Sequence, residues 1–63
     1  MDNYLIDMGK KIKNARMEKK MLQKELADAL NVSYVTLGRW ERGLTPPTLP
    51  NQRKLEEILE IKL

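Results

Sequence analysis

The chain has 63 residues, of which 41% are hydrophobic and 33% are charged, and its formal net charge is +3. This length allows one small core, and we predict a single domain over residues 1–63. The sequence contains no cysteine and no histidine, and Ser33 is its only serine. These absences exclude a disulfide framework, a thiolate or imidazole metal site, and a serine nucleophile activated by an imidazole. We therefore expect a protein that is not an enzyme and that uses no metal and no cofactor.

The sequence lacks the pattern of a secretory signal or a membrane span. The chain begins Met1, Asp2, Asn3 without a basic segment, and its longest uninterrupted apolar stretch is residues 4–6. Such a stretch is much too short to cross a bilayer. We expect a soluble, cytoplasmic protein with no membrane partner.

Positive charge is concentrated in one segment of the chain. Between Lys10 and Lys24 there are seven basic residues and one acidic residue, Glu18, which gives this segment a net charge of +6. Such a segment indicates a polyanionic partner. A solvated helix face rich in lysine would have the same composition, so both interpretations stay open.

Apolar residues at helical intervals predict the first two helices. The first helix is predicted over about residues 4–19, and the second over about residues 23–30. Asn31 marks the end of the second helix, because asparagine tolerates a positive φ. The inward residues of the two helices are Leu5, Met8, Ile12, Ala15, Leu26, Ala27 and Leu30.

Capping residues help to predict two more helices. Ser33 is a favourable N-cap for a third helix, from about Tyr34 to Glu41, which ends before Gly43. Pro46 and Pro47 exclude a helix in the following loop, and Thr48 then caps a fourth helix. The inward residues of these helices are Leu37, Trp40, Leu55, Ile58 and Leu59. The tail from Glu60 to Leu63 either extends the fourth helix or lies as a short extended segment. No alternating β-branched run is present, so we predict an all-α fold.

The second and third helices have the features of a helix-turn-helix. Three residues, Asn31 to Ser33, form the turn, and small Ala27 allows the two helices to approach closely. In this motif the second helix enters the major groove of DNA. The space between the helices is filled by Leu26, Leu30, Val32, Leu37 and Trp40.

On these residues the sequence resembles the phage Cro/repressor (XRE-like) family of helix-turn-helix DNA-binding proteins. The resemblance runs without a gap from about Gly9 to Leu59. Its residues are Ile12, Arg16, Gln23, Leu26, Ala27, Val32, Ser33, Thr36, Leu37, residues 39–43 and residues 47–49. The resemblance implies a compact bundle of four to five short helices like the lambda repressor domain. It also implies operator binding by symmetric dimers that control transcription.

Several positions depart from the family pattern. Leu22 stands where the family usually places Thr or Ser as the cap of the second helix, which forfeits about 1 kcal/mol of capping. Lys20 replaces a frequent Gly, and Gln52 occupies a position that is usually apolar. The apolar tail residues Ile61 and Leu63 are expected to find few partners within so short a bundle, which favours a dimer.

The resemblance also implies which residues contact DNA. Arg39 can pair with a guanine, Val35 can pack on a thymine methyl group, and Tyr34 can reach a base edge or the backbone, with Thr36 beside them. The implied phosphate contacts are Gln23, Lys24, Ser33 and Arg42. A structural ion pair is implied between Arg16 and Glu41. The lysines of the first helix are expected to act at long range rather than to contact DNA.

Other interpretations of single residues stay open beside these. Tyr34 could be a solvated surface aromatic, and Trp40 belongs to the core by its position. Met8, Met17 and Met21 are expected to fill the core or its edge.

The leading function is sequence-specific binding of a double-stranded DNA operator by a transcriptional regulator, most simply a repressor of a phage, mobile element or bacterial operon. A homodimer on a pseudo-palindromic operator is expected. The alternative is a protein-interaction module, such as an antirepressor or an antitoxin-like partner. Tyr34, Val35 and Arg39 favour DNA, because a protein-binding face would be acidic or broadly apolar.

Overall fold

Four α-helices form the described part of the chain. The computed structural model describes residues 3–63, which contain α1 (Tyr4–Glu18), α2 (Gln23–Leu30), α3 (Tyr34–Glu41) and α4 (Leu49–Leu59) and no strand. The predicted all-α class is confirmed, with the lower of the two predicted helix numbers. Met1 and Asp2, which belong to the predicted domain, lie outside the described residues. None of these four helices is long and apolar enough to span a membrane.

Local signals account for the ends of the two middle helices. Asn31 ends α2 in the left-handed conformation, with φ of 59°. Ser33 begins α3, and its hydroxyl oxygen accepts a hydrogen bond from the Thr36 backbone N–H at 3.1 Å. Leu22 precedes α2 and has no hydroxyl for this purpose, but its own N–H donates to Glu25 Oε1 at 2.7 Å. The entry to α2 therefore keeps one half of a capping box.

The connection between α1 and α2 contains a strained residue. α1 ends at Glu18, one residue earlier than predicted, and Lys20 takes a φ of 57°. A residue with a Cβ atom pays about 1–2 kcal/mol for this left-handed conformation, and glycine pays almost nothing. The frequent glycine of the family at this position has a direct physical reason here.

The core lies where the inward faces of the four helices meet. Its buried side chains are Met8, Ile12, Ala15, Leu26, Ala27, Leu30, Leu37, Trp40, Leu55 and Leu59. Trp40 therefore lies in the core, as predicted, and half-buried Met21 packs at its edge. The prediction for Met17 is wrong, because its side chain is 56% exposed. Met17 lies five residues after Ile12, which turns it away from the inward face of α1.

α1 packs directly on the backbone at the end of α3. A Cβ atom added at Gly9 would overlap the Trp40 carbonyl oxygen and would lie 2.6 Å from the Glu41 carbonyl oxygen. Only a glycine allows this approach. Gly9 therefore sets how closely the first helix lies against the third.

The tail folds back on the bundle instead of extending α4. Glu60 ends α4 with a φ of 57°, and its carboxylate accepts a hydrogen bond from Lys19 Nζ at 2.7 Å. The Leu63 N–H donates to Glu56 Oε2 at 2.9 Å. Ile61 and Leu63 are half-buried and pack against the core. The expectation that these two residues have few partners within the chain is wrong.

Candidate nucleic-acid interface

α3 has one buried face and one exposed face. Leu37 and Trp40 are buried in the core, whereas Tyr34 and Val35 are 60% and 51% exposed. Arg39 is also exposed, and no ion pair within residues 3–63 holds its guanidinium group. The core therefore fixes this helix while three of the four predicted base-reading residues face solvent.

Thr36, the fourth predicted base-reading residue, is less available. It is half-buried, and its hydroxyl lies 3.0 Å from the Ser33 hydroxyl. Ser33 in turn uses its oxygen to cap α3. The two hydroxyls thus hydrogen-bond to each other, and the Ser33 oxygen also caps the start of α3. Ser33 therefore has a capping role in addition to the predicted phosphate contact.

A buried ion pair joins α1 to the end of α3. Arg16 Nε donates to Glu41 Oε2 at 2.7 Å, and Arg16 Nη2 donates to Glu41 Oε1 at 3.2 Å. The remaining end of the guanidinium group, Nη1, donates to the Met21 carbonyl oxygen at 2.7 Å. Such two-point pairing is the strong form of an arginine–carboxylate contact. It connects α1, the α1–α2 turn and α3 through one side chain.

Gln23 extends this network to the start of α2. Its Nε2 donates to Glu41 Oε1 at 2.9 Å, so the side chain is held across the face of α3. Gly38 lies beneath it, and a Cβ atom there would be 3.9 Å from Gln23 Nε2. A phosphate only accepts hydrogen bonds, so Gln23 can offer it the second N–H of the amide and the backbone N–H groups at the helix start.

An open groove of about 280 Å³ lies beside this network. Its lining residues are Lys13, Gln23, Tyr34, Val35, Gly38, Glu41 and Arg42. The groove thus brings two predicted phosphate contacts, Gln23 and Arg42, to two predicted base-reading residues. Lys24, a further predicted phosphate contact, is exposed on the first turn of α2.

Lys13 is the groove residue that the sequence reasoning missed. It lies four residues after Gly9, and residues at this spacing share one face of a helix. Because Gly9 touches the backbone of Trp40 and Glu41, the next turn of α1 comes close to the end of α3. In the sequence, the one sign of this close approach is a glycine on the inward face of the first helix. The sequence does not show which element packs against that glycine.

A smaller cavity, of about 210 Å³, lies on another side of α1. Its lining residues are Tyr4, Asp7, Met8, Lys11 and Leu63. Lys11 therefore faces the tail, whereas Lys13 faces α3. Within residues 3–63, no group of three or more acidic or other metal-binding side chains is placed to hold a metal ion.

Curated proteins with similar sequences align with nearly the whole chain. It is 35% identical over 60 residues to the HTH-type transcriptional regulator DicA of Escherichia coli K12, which covers 95% of this chain and 44% of DicA. It is 40% identical over 58 residues to multiprotein-bridging factor 1 of Candida albicans, which covers 92% of this chain and 38% of that protein. The chain thus spans less than half the length of these curated relatives.

A solved structure has the same fold. The crystal structure of the restriction-modification controller protein C.AhdI from Aeromonas hydrophila matches with a TM-score of 0.84 and 30% identity, covering 98% of this chain and 93% of that chain. The family profile described as helix-turn-helix matches residues 12–63. These matches confirm the resemblance found in the sequence. The chain belongs to the helix-turn-helix family, in its phage Cro/repressor (XRE-like) branch.

Proposed function

We propose that this chain is a transcriptional regulator that binds double-stranded DNA sequence-specifically, with α3 in the major groove. The observation that carries the proposal is the exposed face of α3, which presents Tyr34, Val35 and Arg39 from a helix fixed by its buried face. The major groove is wide enough to admit an α-helix and presents a distinct pattern of donors, acceptors and methyl groups for each base pair. Membership of the helix-turn-helix family supports the same function.

The side chains on this face have distinct roles in the proposal. Arg39 donates two hydrogen bonds to guanine O6 and N7, and Val35 packs on a thymine methyl group. Tyr34 contacts a base edge or the backbone, and Thr36 contributes from beside it. Gln23, Lys24, Ser33 and Arg42 bind phosphates and thereby position the helix.

The proposed assembly is a homodimer on a pseudo-palindromic operator, with the two α3 helices about 34 Å apart. Its support is the family resemblance alone, because Ile61 and Leu63 pack within the chain. Repression is the simplest result of occupying an operator. Selection of bound sequences from a random DNA pool tests both points, and a palindromic consensus is expected. A consensus with one half-site at every protein concentration would contradict the dimer.

Arg39 and Lys24 should differ in how they affect specificity. Arg39→Ala should cost about 1–3 kcal/mol per half-site on the selected duplex and flatten the preference at one base pair, with a smaller loss on scrambled DNA. Lys24→Ala should weaken binding to both duplexes alike, because phosphates carry no sequence information, and should reduce the magnitude of the salt slope by about 1 per contact removed.

Titrations of both duplexes at several salt concentrations measure these effects. Wild-type protein that shows no salt-dependent binding to any duplex would overturn the DNA-binding proposal.

A protein-interaction module is the second candidate, in the antirepressor or antitoxin-like class. The 40% identity to a protein named multiprotein-bridging factor 1 favours it, as do the exposed side chains of Leu44 and Leu49 beyond α3. The same titrations separate the two candidates, because a module of this kind would leave DNA unbound in all of them.

A further inference from the structure

We infer that Lys13 of α1 is a phosphate-binding residue, and that Lys13 and Arg42 together bind one DNA phosphate in the groove beside α3. This inference rests on the proposed function and adds a contact from the first helix. It reverses the expectation that the lysines of α1 act only at long range. The position, charge and hydrogen-bonding capacity of the two side chains support it.

The position of Lys13 follows from the packing of α1. Gly9 brings α1 onto the backbone of Trp40 and Glu41, and Lys13 lies one turn further along the same face. Lys13 consequently lines the same groove as Tyr34, Val35 and Arg42. A DNA backbone that flanks an inserted α3 would pass along this groove.

The charge balance of the groove favours an anion. Among the described residues that line it, Glu41 is the only acidic one, and the buried guanidinium group of Arg16 neutralises that carboxylate at 2.7 Å. Lys13 and Arg42 are exposed, and within residues 3–63 neither is held in an ion pair. Two cations without an ion-pair partner among residues 3–63 therefore line the same groove.

The hydrogen-bonding groups suit a phosphodiester. Lysine and arginine only donate, and the phosphate oxygens only accept. Gln23 supplies a further amide N–H from the same groove, because Glu41 Oε1 holds its Nε2 at 2.9 Å and so fixes the amide. Hydrogen-bond donors from α1, α2 and the end of α3 thus line one groove.

Lys11 offers a matched control within the same helix. It has the same charge and is likewise exposed, but it lines the cavity beside Leu63. Two residues along a helix correspond to a rotation of about 200°, so the two lysines face different sides of α1. A purely long-range effect of charge would affect the two positions alike, whereas a contact would affect Lys13 alone.

The experiment compares wild type with Lys13→Gln, Lys13→Arg, Lys11→Gln and Arg42→Gln on the duplex that wild type selects and on a scrambled duplex. Lys13→Gln should weaken binding to both duplexes roughly tenfold at physiological salt, as expected for the loss of a charge-assisted hydrogen bond. It should also reduce the magnitude of the salt slope by about 1 for each protomer bound. Lys11→Gln should weaken binding by less than about twofold, because salt screens a charge that makes no contact. Lys13→Arg should retain binding.

Neutral methylphosphonates at single positions of the selected duplex then locate the contact. At one phosphate of each half-site, neutralisation should cost wild type the most affinity and should cost Lys13→Gln and Arg42→Gln less, because each variant keeps only one of the two cations. Different phosphates for the two variants, or equal effects of Lys13→Gln and Lys11→Gln, would overturn the inference while the proposed function stands. Wild type that binds no duplex would overturn both. Circular dichroism and thermal unfolding verify that each variant is folded.

Discussion

The carboxylate of Glu41 accepts three side-chain hydrogen bonds. It accepts hydrogen bonds from two nitrogens of Arg16 and from Gln23 Nε2, at distances from 2.7 to 3.2 Å. Both members of the ion pair are buried, and no buried side-chain nitrogen or oxygen within residues 3–63 lacks a hydrogen-bond partner. The network thus satisfies its own charges while it joins α1, α2 and α3.

Arg16→Met should destabilise the fold strongly. Removing one member of a buried pair strands the other charge and costs about 3–5 kcal/mol. Urea unfolding of wild type and variant measures the effect. Lys19→Met is the control, because it breaks the exposed pair with Glu60 and should move the midpoint little. An unchanged midpoint for Arg16→Met would show that the buried pair contributes nothing.

Gly9→Ala and Gly38→Ala should change the free energy of unfolding in opposite directions. A methyl group at Gly9 meets the backbone of α3, which cannot move aside, so we expect a loss of about 1–3 kcal/mol in the free energy of unfolding. At Gly38 the nearest atom is 3.9 Å away, so alanine should stabilise α3 by about 0.5–1 kcal/mol. Urea midpoints test both, and equal signs would contradict the packing described.

At the scale of elements, the sequence predicted best what local chemistry decides. Asn31 and Ser33 mark the adjoining ends of α2 and α3, and both helices have their predicted bounds. The tail could not be predicted, because its course depends on a contact between Glu60 and Lys19, which are 41 residues apart. The exposure of Met17, by contrast, follows from spacing within one helix, because Met17 lies five residues after Ile12 and so outside the inward face of α1.

Leu22→Ser should stabilise α2. Leu22 is 67% exposed, so little buried surface is lost, and a serine hydroxyl can cap the helix. Glu25 already accepts the N–H of this residue, so serine would complete a capping box. We expect a gain of about 1 kcal/mol in the free energy of unfolding. Leu22→Ala is the control, and equal stability of the two variants would contradict the capping argument.

Across the whole molecule, the pair of Lys19 and Glu60 fastens the end of α4 to the end of α1. The hydrogen bond from Lys19 and its positive charge lower the pKa of Glu60 below the ordinary value of 4.5, and slight desolvation opposes them. The native state therefore binds this proton less tightly than the unfolded state. The stabilisation is present above the unfolded pKa and disappears as the pH falls through the lower native pKa.

A titration by nuclear magnetic resonance tests this pair. The side-chain carboxyl signal of Glu60 should titrate at a lower pH in wild type than in a Lys19→Gln variant. The same titration midpoint for Glu60 in both proteins would mean that the pair does not persist in solution.

The candidate site was only partly predictable because it depends on how helices cross. The sequence placed Tyr34, Val35 and Arg39 on one face of a single helix, and that face is exposed in the structure. Lys13 reaches the same groove only through the close approach of α1 at Gly9. The hydrogen bond from Gln23 to Glu41 likewise joins residues that are 18 positions apart in the sequence. These contacts arise from tertiary packing, and the hydrophobic periodicity of the sequence does not reveal them.

One face of α3 anchors the helix and the other is exposed, and this division affects how the sequence of the helix can diverge. Leu37 and Trp40 anchor the helix, whereas Tyr34 and Val35 add little to the core. Substitutions at exposed positions usually change the free energy of unfolding by less than about 0.5 kcal/mol. New side chains can therefore appear on the outer face without endangering the scaffold. Chains built in this way can drift toward new targets one substitution at a time, and an engineer can follow the same route.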